Sequence, residues 1–190
     1  MKAVMISIQP KWCELISKCI GYENRRPLYK KRLDLRKSAP EATPFKAFIY
    51  ESKGKKVWKT ITVPYEQGGG VIDIFTHEGR GQVIGEFICD YVVRHCEMEN
   101  AYLADEMSCV PREDILKYSN GKEVVGWHIS DLKIYDKPRA LAEFKRVCDG
   151  NCQECKYAIW QTRHPYDDPI IVDCKPISVP QSWCYVEVQG

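Results

Sequence analysis

Lys31, Asp34 and Arg36 stand within one six-residue window and form the grouping in this chain best suited to chemistry. On an extended strand, residues two apart point to the same side, so Asp34 and Arg36 are placed to pair, the carboxylate holding the guanidinium. A fixed guanidinium fork suits a phosphate or carboxylate, and Lys31 adds a compact, mobile charge. Taken alone, such a pair is more often an ordinary surface salt bridge. The surroundings add weight. From Gly21 to Lys37 there are seven basic residues, Arg25, Arg26 and Lys30 among them, against Glu23 and Asp34, while the whole chain carries only +2. Basicity gathered in one stretch points to an anionic ligand there; a solvated basic loop is the competing reading.

Aromatic residues offer a second ingredient. Tyr29, Trp127 and Trp183 could present stacking faces for a base, as single-strand binders do. Core packing is the alternative for each, and the favoured reading for Trp12 and Trp58. A histidine can serve as acid or base, which makes His128 a candidate, although one between Trp127 and Ile129 is more often a structural hydrogen-bonder. Glu86 is a further carboxylate candidate if it is buried against a lysine, with a rim position as its bland reading. No G-x-S-x-G nucleophile motif is present, which weighs against acyl-transfer chemistry.

Ten cysteines are many for a chain of 190 residues. Cys148, Cys152 and Cys155 fall within eight residues, in a turn containing Gly150 and Asn151, and Cys174 follows after eighteen intervening residues. Such spacing fits a structural zinc knuckle of four thiolates, with His164 as a substitute ligand. A closed site of this kind leaves no position for substrate, so the zinc would serve the fold. Reduced, buried thiols are the alternative, and they account most simply for Cys13, Cys19, Cys89, Cys96, Cys109 and Cys184.

The elements that must position these groups are short. Residues 2–8 read as a strand, and Pro10 opens a helix with Trp12, Leu15, Ile16, Cys19 and Ile20 at helical spacing before Gly21. Strands are expected over 31–36, 45–50, 57–63, 71–76, 82–93, 124–135 (broken at Ser130-Asp131) and 183–188. Short helices are expected over 111–118 and 139–147. Many short strands without a βαβ rhythm predict an α+β chain built on a small, mostly antiparallel barrel. The 190 residues form one domain, with 145–176 a cysteine-rich elaboration before the last strand. No run approaches the roughly 18 apolar residues of a membrane helix, and the N-terminus lacks a signal-peptide pattern. A cytoplasmic protein is expected.

The run Tyr29 to Lys37 resembles the signature of the ASCH family, a Gly-x-Lys-x-x-Glu-x-Arg pattern. Lys31, Asp34 and Arg36 fall on its lysine, acid and arginine, and Tyr29 stands where glycine is usual. Residues 6–12, 82–87, 126–132 and 180–187 also look like that family, in its order. The resemblance implies a PUA-like β-barrel, a cleft lined by the lysine-acid-arginine motif, and RNA or a nucleotide as partner. Small hydrolytic relatives, a nucleoside amidohydrolase and a ribonuclease, supply the alternative. The amidohydrolase type carries a threonine where this chain has Asp34, so the hydrolytic triad does not carry over intact. Contact with an acidic protein surface is a third reading. Ligand identity, turnover and oligomeric state are not legible in the sequence.

Overall fold

The computed structural model describes residues 3–17, 20–23, 26–29, 31–54, 57–63, 70–76, 78–95, 107–110, 112–147 and 179–188. Strand β1 (Ala3–Ile8) leads into helix α1 (Pro10–Ser17), and a hairpin of β2 (Ile20–Glu23) and β3 (Arg26–Tyr29) follows. The helix therefore stops sooner than its apolar spacing predicts: Ile20 and Gly21 belong to a strand. Next come β4 (Leu33–Arg36), β5 (Phe45–Glu51), the paired β6 (Val57–Val63) and β7 (Gly70–Thr76), and β8 (Gln82–Cys89). The long strand expected to Val93 breaks at Asp90-Tyr91, and β9 (Val92–His95) joins a different sheet.

Helix α2 (Arg112–Ser119) has Glu113 and Asp114 in its first turn and Lys117 in its last, each complementing the helix dipole. Beyond it run β10 (Val124–His128) and β11 (Ser130–Arg139). The helix predicted over 139–147 is instead a single 3-10 turn, Leu141–Glu143, followed by β12 (Phe144–Arg146). Tertiary pairing overrides propensity here, because β12 aligns with the closing strand β13 (Trp183–Val188).

These strands make a six-stranded sheet, β11-β8-β5-β1-β13-β12, and a three-stranded sheet, β4-β10-β9. The six-stranded sheet is open. Among the described residues its ladders do not close into the barrel expected from the sequence, and β1 runs parallel to β5. The chain passes from the small sheet to the large one at Ile129, just ahead of the break expected at Ser130-Asp131.

Strands β1 and β5 are buried on both faces, which is why Val4-Met5-Ile6 and Phe45 to Tyr50 read as nearly continuous apolar runs. Val4, Ile6, Phe45, Ala47, Ile49 and Phe87 pack with Val125 and Trp127 of the small sheet. Met5, Phe48, Tyr50, Val83 and Phe144 form a second cluster on the opposite face. Strand β8 serves both clusters because it carries a bulge: Ile49 pairs with Gly85 and Tyr50 with Val83, leaving Ile84 extra.

Among the described residues no helix is long and apolar enough to cross a membrane.

Candidate functional site

Strand β4 pairs with β10 so that Asp34 faces Trp127 and Arg36 faces Val125. Cross-strand partners share a face, so the two charged side chains lie on the face that Trp127 and Val125 turn to the core. Their burial follows from this register: Asp34 is 4% exposed and Arg36 7%. The expected pair is present, with Arg36 Nε donating to Asp34 Oδ2 at 2.6 Å. Arg36 Nη2 also donates to the Ser7 carbonyl at 3.1 Å and Nη1 to the Ser182 carbonyl at 3.3 Å. The guanidinium thus ties β4 to the end of β1 and to the segment entering β13.

Lys31 precedes β4. Its backbone N–H donates to the Leu15 carbonyl of α1, and that of Arg32 to the Met107 carbonyl. The Lys31 side chain is 2% exposed. Its Nζ donates to the Ser108 carbonyl at 2.8 Å, lies 3.8 Å from Asp34 Oδ1 and sits 5.1 Å from the centre of the Trp12 ring. Burial pulls the Lys31 pKa below its ordinary value, Arg36 nearby adds to this, and Asp34 opposes it.

All three groups open onto one cleft of about 600 Å³, walled by Trp12 of α1, by Tyr118 of α2 and by Gln181. Lys11 and Lys37 place ammonium groups 4.6 Å and 5.2 Å from the Trp12 and Tyr118 ring centres. An ammonium has three donors and a guanidinium five. Among the described residues one Lys31 donor and three Arg36 donors make hydrogen bonds, and Lys31 Nζ also faces Asp34 and the Trp12 ring.

The other candidates lie elsewhere. Trp127 is fully buried, donates to the Ser38 carbonyl and packs edge-on against Phe45, so it fills the core and offers no stacking face. Trp183 donates to Ser38 Oγ and lies edge-on to Trp127. His128 Nδ1 is 2.6 Å from Asp90 Oδ1, and its ring stacks on Tyr91, outside the lining of the cleft. Glu86 accepts from Lys46 Nζ at 3.0 Å and from the Tyr135 hydroxyl at 2.6 Å, also outside that lining. Arg26 and Tyr29 are backbone positions of β3, in register with Glu23 and Ile20. Arg25 and Lys30 lie outside the described residues, as do Cys148, Cys152, Cys155, Cys174 and His164. Among the described residues no cluster of His, Cys, Asp and Glu could hold a metal ion.

Three contributors were not legible as site residues. Trp12 has helical spacing suited to a core face, yet it reaches the cleft. Tyr118 and the Ser108 carbonyl arrive from chain more than seventy residues beyond Lys31, and no local pattern signals that meeting.

No family model matches the chain, and no curated protein matches its sequence. Solved structures do. A Tyr-to-Phe variant of an ASCH protein from Zymomonas mobilis superposes with a TM-score of 0.53 at 13% identity, covering 98% of this chain and 91% of that one. The unmodified Zymomonas mobilis ASCH structure gives 0.52 at 13% identity over 98% and 88%, and a Ser-to-Ala variant gives 0.52 over 98% and 89%. The likeness spans almost the whole of each chain and carries the fold. The chain has an ASCH-like fold.

Proposed function

We propose that the cleft binds RNA or a modified nucleotide, with Lys31 and Arg36 meeting ligand oxygens and Asp34 fixing Arg36. The observation that carries this reading is a buried lysine and a buried arginine lining the same open cleft. Burying cations is costly unless a partner acceptor is supplied, and a phosphate or a carbonyl-rich base edge supplies it. The association of ASCH domains with RNA agrees with that chemistry. A ligand acting through these charges weakens as salt rises. The test is titration of a labelled RNA decamer and of nucleoside monophosphates between low and physiological salt. Wild-type binding that falls with salt and drops at least tenfold in Lys31→Ala is the expected result. Binding indifferent to both would remove the cleft from consideration.

Hydrolysis of a nucleoside amide or a phosphodiester in the same cleft is the second reading, and one observation favours it. The depressed Lys31 pKa raises the fraction of neutral amine available as a base. Against it, Glu86 is committed to Lys46 and Tyr135, and His128 lies beside Asp90. Binding without turnover is therefore preferred. Chromatography of acetylated cytidine and of RNA incubated with the protein decides the matter, and steady product formation lost in Lys31→Ala would make the hydrolase the leading reading.

Within the same proposal, Cys148, Cys152, Cys155 and Cys174 hold one structural zinc.

A further inference from the structure

Between Cys109 and Val124 the chain leaves the core. Ser108 and Cys109 are fully buried, and Val124 is buried in β10, yet no residue described between them is buried. Helix α2 occupies the middle of this excursion. It has eight residues, fewer than the roughly 12–15 at which even good helix formers begin to hold alone in water. Its order must come from what it touches, and it touches the cleft. Asp114, Ile115 and Tyr118, which share one helical face, line the cavity, whereas Leu116 on the outer side is 61% exposed. Lys37 lies against the Tyr118 ring from the β4 side.

The flanks of the helix differ in kind from the helix itself. On one side Met107 accepts from the Arg32 N–H, and Ser108 accepts from Lys31 Nζ, so this anchor is part of the site floor. Cys109 then takes φ +59°. On the other side Asn120 and Gly121 take φ +47° and +72°, and nothing lies within 4 Å of where a Gly121 side chain would begin. Among the α2 residues whose burial is described none is buried, and left-handed backbone stands on both flanks, at Cys109 and at the Asn120-Gly121 cap, in an arrangement suited to swinging as a unit about fixed ends.

We propose that α2 is a hinged lid over the cleft and that its inner face, Ile115 and Tyr118 above all, is a ligand-contacting surface. This rests on the nucleotide reading of the cleft and adds the means by which the ligand is enclosed. Tyr118 adds an aromatic ring to the lining that Lys31, Asp34 and Arg36 share, so a ligand that is anionic and also carries a planar ring engages floor and lid together. Inorganic phosphate engages only the floor. The lid therefore selects nucleotides over simple anions, and ligand binding orders it.

Amide hydrogen exchange over residues 112–123 tests the proposal, measured on the full chain alone, with the four nucleoside 5′-monophosphates, with an RNA decamer and with inorganic phosphate. Slowing of exchange in α2 by at least tenfold with nucleotide or RNA, and little change with phosphate, is expected. Tyr118→Ala should weaken nucleotide binding about five- to twentyfold while phosphate binding holds, and Leu116→Ala should bind as wild type. Nucleotide binding without added protection in α2, or with Tyr118→Ala unaffected, overturns the lid and leaves the binding reading standing. Failure of every nucleotide and RNA probe to bind overturns both.

Discussion

Arg36 donates to a carboxylate and to two backbone carbonyls, on β4, at the end of β1 and beside β13. A residue so placed holds strands together as well as facing a ligand. Arg36→Ala leaves Asp34 buried without its closest partner, a loss that costs about 3–5 kcal/mol in comparable settings. Urea unfolding is expected to show a destabilisation of about 3 kcal/mol. Arg36→Lys should recover little of it, since one ammonium cannot reproduce three divergent donors. Lys31 behaves differently, because burial lowers its pKa from the ordinary 10.5. Between the depressed folded value and 10.5 the unfolded chain binds more protons than the folded one, so stability gains as pH rises through that window. Below the window both states are protonated and the cost of burying the ammonium is fully present. The stability of wild type relative to Lys31→Met should therefore improve as pH is raised towards 10.5, read from denaturation at a series of pH values. A difference independent of pH would mean that Lys31 is not desolvated in solution.

Strand β8 shows how an element carries information that its sequence conceals. Period-two reading puts Val83, Gly85, Phe87 and Cys89 on one face, but the extra residue Ile84 sends Val83 to one cluster and Phe87 and Cys89 to the other. Gly85 sits at this shift, where a Cβ would lie 2.5 Å from the Lys133 carbonyl of the neighbouring strand. Gly85→Ala must push two paired backbones apart and is expected to cost about 1–3 kcal/mol. Thermal melting gives the measurement, and a variant as stable as wild type would show that β11 yields easily there. Most strands were legible, since alternation and apolar runs record burial directly. The Asp34–Arg36 pair was legible for the same reason, two residues apart on one strand. The end of α1, the turn at Leu141–Glu143 and the roles of Trp12 and Trp127 were not. Each depends on which distant strand or loop arrives alongside, and an indole carries the same apolar signature whether it fills a core or walls a cleft.

At the scale of the whole molecule, the open sheet joins residues far apart in sequence. Strands β12 and β13 are neighbours, and the Val147 N–H donates to the Tyr185 carbonyl, so this edge of the sheet is held by its own backbone bonds. A zinc bound by Cys148, Cys152, Cys155 and Cys174 would therefore not be needed to hold that edge together. Elemental analysis of protein purified without chelator should find one equivalent. Because Cys13, Cys89, Cys109 and Cys184 are buried, chelation should expose newly reactive thiols while the main melting transition shifts little. Zinc well below one equivalent would rule the knuckle out. Strand β13 also lies in the interior of the six-stranded sheet, between β1 and β12, and the segment entering it supplies the Ser182 carbonyl that Arg36 grips. This has a consequence in time. A ribosome makes the chain from β1 onward, and the place beside β1 stays vacant until residues past 180 have emerged. Until then one of the three acceptors that orient Arg36 does not exist, so the cleft is finished only when the last strand takes its place.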